Sequence, residues 1–227
     1  MAGMQTRVHF DRQLEDLRGE LLLLGSMTEK AVERAVEALR QRDAALAQSV
    51  IDDDRKIDDR TYEVEDKALT LIATQQPMAS DLRLIASALF IVAELERIGD
   101  YAEGIAKIAM EAAAEPPIKP LIDIPHMAAI AVDMLHQSLD AFIDRDLEAC
   151  QRIWLRDDDL DHLYDQVYRE LLTYMLNDPT TINRATQLLW VAHNLERIGD
   201  RVTNICERAA YVITGDPRAL PAKEDPA

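Results

Sequence analysis

Two six-residue stretches, 95–100 and 195–200, both read Leu-Glu-Arg-Ile-Gly-Asp. In each, a Glu and an Asp stand four residues apart, so Glu96 with Asp100 and Glu196 with Asp200 share one face of a helix. A second set of carboxylates repeats upstream, Asp54 with Asp58 and Asp157 with Asp161. Like charges at this spacing weaken an isolated helix, and bringing two pairs together adds repulsion that a multivalent cation would remove. Ligation by carboxylates alone favours hard ions such as Mg²⁺, Mn²⁺ or oxidised iron. The alternative is a set of solvated acids paired with Arg97 or Arg197. Recurrence of the whole arrangement within one chain strengthens the case for a site, and neither spacing nor recurrence alone chooses between the two.

The elements that position these acids are helices. Leu14, Leu17, Leu21, Leu24, Val32, Ala35 and Leu39 step at helical spacing and predict a helix over 10–39. Asp43 is a suitable N-cap for a second helix through Leu46, Val50, Ile57, Val64 and Ala68 to about residue 73. Pro77 interrupts the pattern, and Ser80 is the expected cap of a third helix reaching about 114. The proline cluster at 116–125 marks a linker, and three further helices are expected at 127–143, 146–175 and 180–213. The expected organisation is a three-helix unit over 8–115, the linker, a second three-helix unit over 126–214, and a disordered tail over 215–227. The fold class is all-α, two tandem sequence-related bundles of six long helices in all.

Folding each helix pair about Pro77 or Pro179 places Asp54 and Asp58 level with Glu96 and Asp100, about 30 Å from the turn at ~1.5 Å per residue. The same count brings Asp157 and Asp161 level with Glu196 and Asp200. Glu103 and Glu207 extend the two acidic strips. Gly99 and Gly199 interrupt their helices at a cost of ~1 kcal/mol each, which close helix approach or backbone access beside a cation would justify.

Composition narrows the function. The chain of 227 residues carries a formal charge of −17, is 48% hydrophobic and only 5% aromatic. That balance argues against nucleic acid as a partner, and the apolar content argues against wholesale disorder. Scarce glycine and aromatics argue against β-sandwiches and barrels. Cys150 and Cys206 fall in helical patterns and are expected as buried thiols of a reducing compartment. The first residues lack a secretory leader, and no apolar run approaches the roughly 18 residues of a membrane span, so any membrane association runs through partners. No Glu-x-x-His pair of di-iron bundles, phosphate loop, nucleophile elbow or Cys-x-x-Cys occurs. His193 and His162 stand near the acids as accessory ligands or ordinary helix residues, whereas Trp154 and Trp190 are expected as core or interface anchors. No concentrated basic pocket for phosphate is visible.

With both Glu-Arg-Ile-Gly-Asp segments in tandem three-helix units, the chain resembles the PhoU family of phosphate-specific transport accessory and regulatory proteins over about 10–213. The resemblance implies a cytoplasmic, usually homodimeric protein without enzymatic activity, which limits phosphate uptake and represses the phosphate-starvation response. It implies two partners, the nucleotide-binding subunit of the phosphate ABC transporter and the phosphate sensor histidine kinase. It also implies surface clusters of iron or another divalent or trivalent metal such as Mg, Mn or Zn. Their ligands would be Glu96, Asp100, Asp54 and Asp58 in the first unit and Glu196, Asp200, Asp157 and Asp161 in the second. The family often carries Asn four residues after the motif Asp; Asn204 fits, and Gly104 departs from it. A second reading of the same acids is a carboxylate-bridged metalloprotein with redox or metal-storage activity.

Overall fold

The computed structural model describes residues 2–220, with side chains from Arg7 onward. Six helices account for nearly all of it: α1 (Ala2–Gln41), α2 (Ala44–Gln75), α3 (Ala79–Ala112), α4 (Asp123–Asp144), α5 (Leu147–Asn177) and α6 (Ile182–Thr214). No strand occurs among the described residues. Helices α1, α2 and α3 pack on one another, as do α4, α5 and α6. The two sets join through α3 against α6 and α1 against α4, which leaves α2 and α5 on the outer flanks. The stripes read from the sequence face inward: Leu17, Leu21 and Leu24, with Leu95, Ile98 and Ile105 and their repeats Leu195, Ile198 and Ile205, are buried in one continuous apolar core. The proline segment therefore crosses between two halves of a single core.

Helices α3 and α6 run antiparallel. Gly104 lies beside Asn194, Arg201 reaches Glu94 at 3.4 Å, Gln187 reaches Glu111 at 3.2 Å, and the Arg208 guanidinium stands 4.2 Å from the Phe90 ring centroid. This crossing gives Gly104 a packing reason: a Cβ there would come within 3.2 Å of the Asn194 amide.

The repeated Arg-Asp dipeptides build matching helix junctions. Arg42 and Arg145 adopt left-handed backbone, with φ of 58° and 57°. The following amides close over the preceding turn, Asp43 N to Ala38 O at 2.9 Å and Asp146 N to Ala141 O at 3.0 Å. The same aspartates cap the next helix: Asp43 Oδ1 accepts from the amides of Ala45 and Leu46, and Asp146 Oδ1 accepts from that of Ala149.

Other boundaries differ from the sequence reading. Met78, not Ser80, is the N-cap of α3, and its side chain makes no capping bond. Asp81 serves the first turn instead, placing its charge near the positive end of the helix and pairing with Arg7 at 2.9 Å. Helix α4 starts at Asp123, within the segment assigned to the linker, because Pro125 falls in its first turn, where a missing N–H costs nothing. Asp178 caps a 3₁₀ turn, Pro179–Thr181, that precedes α6. The linker itself is held: Lys119 is buried and its ammonium bonds Asp123 at 3.1 Å and Glu170 of α5. The tail expected to be disordered from 215 begins with order, since Gly215 closes α6 at φ 76° and Leu220 is buried; residues 221–227 lie outside those described. Among the described residues no helix is long and apolar enough to cross a membrane.

Removing either junction cap tests this account. Asp43→Ala and Asp146→Ala should each lower unfolding free energy by about 1 kcal/mol with the urea m-value unchanged.

Candidate functional site

The carboxylates come together in two seams, one between α2 and α3 and one between α5 and α6. In the first, burial pushes the Asp54 carboxyl up to about 6, with Asp58, Glu103 and Asp100 adding to the rise and Lys107 opposing it. Glu96 is raised by burial and then by Asp100 and Asp58, and Asp100 by burial and then by Asp58 and Glu103. Asp58 and Asp100 thus bear on both Asp54 and Glu96, which brings the four expected acids of the first unit into one seam. Glu103 joins them and holds Lys107 at 2.5 Å.

The second seam is deeper. Asp157 is wholly buried, and Asp161, Glu196 and Asp200 are partly so. Burial pushes Glu196 up to about 7, with Asp200, Asp161 and Asp157 adding to the rise. Arg197 opposes it; this guanidinium pairs with Asp200 at 3.2 Å and lies beside Tyr101 of α3. Glu207 does not join this seam. It is raised by burial and by Glu94, which places it toward the α3–α6 contact.

Both mid-helix glycines lie under these acids. A Cβ on Gly99 would sit 3.2 Å from Ile57 and 3.4 Å from the Asp54 carboxylate. One on Gly199 would overlap the Asp157 carboxylate and come within 2.8 Å of Leu160. Close helix approach therefore explains both residues, and the approach is what brings Asp54 and Asp157 over the neighbouring backbone.

The seams differ in a way that single motifs conceal. Beside the first, Asp58, Thr61, Tyr62, Glu65, Ala93 and Glu96 line a cavity of about 180 Å³. At the repeat-related positions of the second stand Tyr164 for Thr61, Tyr168 for Glu65 and His193 for Ala93. Tyr164 and His193 pack ring to ring at 6.0 Å, and Trp190 meets His193 edge-on at 5.7 Å. His193 Nδ1 is 3.5 Å from Glu196, and burial, with Arg197, lowers its pKa. A position-by-position comparison of the repeats carries this signal; a search for identical residues passes over it. His162 is exposed on α5. Trp154 belongs to the core, whereas Trp190 is 56% exposed. Cys150 and Cys206 are buried free thiols, and burial raises both pKa values, which suits inert packing.

The donor set suits a hard cation. As the side chains stand, no three His, Cys, Asp or Glu groups among the described residues converge on one point closely enough to hold an ion.

An all-helical tandem repeat with a carboxylate-rich seam in each half defines the class of this protein. A family model described as the PhoU domain matches residues 21–109 and again 124–209. The phosphate-specific transport system accessory protein PhoU homolog of Clostridium acetobutylicum is 43% identical over 92% of this chain and 96% of its own. The PhoU protein of Escherichia coli is 35% identical over 91% and 86% of the two chains. A crystal structure of PhoU from Pseudomonas aeruginosa superposes with a TM-score of 0.87 at 36% identity, covering 91% of this chain and all of that one. The phosphate transport system regulatory protein PhoU from Streptococcus pneumoniae gives 0.85 at 29% identity, over 91% and 98%. The chain belongs to the PhoU family.

Two measurements probe the seams. Gly199→Ala should destabilise by about 1–2 kcal/mol, because overlap with Asp157 and Leu160 exceeds the helix-propensity gain of alanine. Gly99→Ala, facing only tight van der Waals contacts, should be within about 0.5 kcal/mol of neutral. The second is pH dependence in chelator-treated protein. Glu196 titrates at about 7 when folded against an ordinary 4.5, so the folded state holds more protons across that interval. Its contribution to stability therefore falls as pH rises from 4.5 to 7 and stays lost above. Glu196→Gln should flatten that part of the stability profile and raise the melting temperature at pH 8.

Proposed function

We propose that this chain is a non-enzymatic accessory regulator of phosphate transport, which limits phosphate uptake and represses the phosphate-starvation response when phosphate is plentiful. One observation carries the reading: both repeats match the PhoU domain, and relatives that span almost the whole chain are named accessory or regulatory proteins of phosphate transport. The partners in this reading are the nucleotide-binding subunit of the phosphate ABC transporter and the phosphate sensor histidine kinase. The protein joins them as a cytoplasmic homodimer, reaching the membrane only through them. Its charge of −17 supports contact with cationic partner faces.

The seams are its cation sites. Asp54, Asp58, Glu96 and Asp100 would hold iron or another hard divalent or trivalent ion in the first, and Asp157, Asp161, Glu196 and Asp200 in the second. The fit rests on donor chemistry and on the mutual repulsion that burial imposes on these carboxylates. A bound cation would supply positive charge between two helices; the chain supplies oxygen ligands and, through Gly99 and Gly199, the close helix spacing.

A reporter and phosphate-uptake assay in a strain lacking the gene tests the regulatory reading. Deletion should derepress the starvation response at high phosphate, and the wild-type gene should restore repression. A Glu196→Gln, Asp200→Asn double variant should accumulate normally yet restore less than half of it. Unchanged phosphate-dependent expression in the deletion strain sinks the proposal. Stoichiometric metal in protein purified without added metal, with no oxidase turnover, supports a sensory or structural cation, whereas turnover would favour redox or storage activity.

A further inference from the structure

On the side of the molecule built by α1 and α4, away from both carboxylate seams, the two helices cross where Gly25 meets Leu139. A Cβ at Gly25 would overlap the Leu139 side chain, so the leucine packs directly on the α1 backbone there. Beyond it, between residues 29–40 of α1 and 125–136 of α4, lies a groove of about 710 Å³. Its floor is apolar: Val36 and Ala128 are buried and Val132 half-buried, with Pro125 and Ala129 beside them.

The rim is acidic. Glu29, Glu33 and Glu37 rise on successive turns of α1, and Asp133 stands opposite on α4. The cations nearby are already committed: Arg40 grips Glu37 through two bonds of 2.7 Å, and Arg156 pairs with Asp133. Glu29 is the most enclosed of these carboxylates, its side chain 17% exposed, and its neighbours Glu33 and Asp140 repel it. His136 is its polar partner across the groove, at 3.2 Å.

We propose that the α1/α4 groove docks a cationic amphipathic helix from a partner protein. The groove spans about 16 Å along α1 at ~1.5 Å per residue, room for three helical turns. A helix laid between two helices buries one apolar edge on Val36, Ala128 and Val132, and its flanking Lys or Arg side chains meet Glu29 and Glu33, the rim acids that neither Arg40 nor Arg156 holds. A second copy of this chain is a poor occupant. The chain carries −17, and a symmetric contact through this groove would set glutamate row against glutamate row. The inference concerns a face separate from the carboxylate seams and stands or falls apart from the phosphate reading.

A fluorescein-labelled synthetic peptide of about 14 residues, with leucines at helical a/d spacing flanked by lysines, is the probe. Its anisotropy is titrated with the full chain, beside a version in which the lysines are glutamates. The expected result is saturable one-to-one binding with Kd on the order of 10 μM, no binding of the glutamate version, and loss of affinity with salt. Glu29→Lys with Glu33→Lys should weaken binding at least about tenfold, as should Ala129→Trp, which fills the groove from an exposed position. Glu196→Gln with Asp200→Asn should leave it unchanged. Absence of saturable binding, indifference to the groove variants, or loss on neutralising the seam overturns the proposal. So does concentration-dependent self-association of the chain that the Ala129→Trp variant abolishes.

Discussion

Two glycines in the middle of long helices set the spacing on which the carboxylate seams depend. Without a Cβ at Gly99 or Gly199, α2 settles against α3 and α5 against α6 closely enough to lay Asp54 and Asp157 over the adjacent backbone. Burial, not like charge, is the largest cause of the raised carboxyls at Asp54, Glu96, Asp100 and Glu196. The order of causes matters. A repulsion between solvated acids is screened within about 8–10 Å at ordinary ionic strength, whereas a desolvated carboxylate keeps its cost whatever the salt. The helix spacing thus converts an ordinary acidic strip into a set of groups whose charge state depends on what lies beside them.

The two seams share this construction and have diverged in what covers it. Thr61 and Ala93 leave a cavity beside the first; Tyr164 and His193 stand at the corresponding positions of the second. Glu196 consequently loses more solvent than its counterpart Glu96 and shows the larger rise. Lys107 tempers the first seam, while the matching position in the second repeat is Glu207, which faces toward Glu94 instead. The same seam therefore stands open in the first repeat and capped in the second.

Much of this was legible in the sequence, because a helix converts residue number into position without reference to anything else. The apolar stripes, the cap at Asp43 and the level placement of the acid pairs all follow from 3.6 residues per turn and a fixed rise, and each is found. The failures occur where a neighbouring chain segment decides. Ser80 has the right chemistry for a cap, but Pro77 and the pairing of Asp81 with Arg7 start the helix earlier. Leu220 reads as part of a polar tail until the core that receives it is known. Glu207 continues an acidic strip by spacing, yet the rotation of α6 turns it toward α3. The groove between α1 and α4 is invisible to periodicity, since it depends on where two helices cross.

The seams are also tied to each other through the α3–α6 contact. Arg197 pairs with Asp200 of the second seam and lies beside Tyr101, one residue beyond Asp100 of the first. Arg201, next to Asp200, holds Glu94, two residues before Glu96. The Arg201–Glu94 bridge crosses a core that is continuous through both repeats, so the halves cannot shift independently without breaking an ion pair that is itself mostly shielded from water.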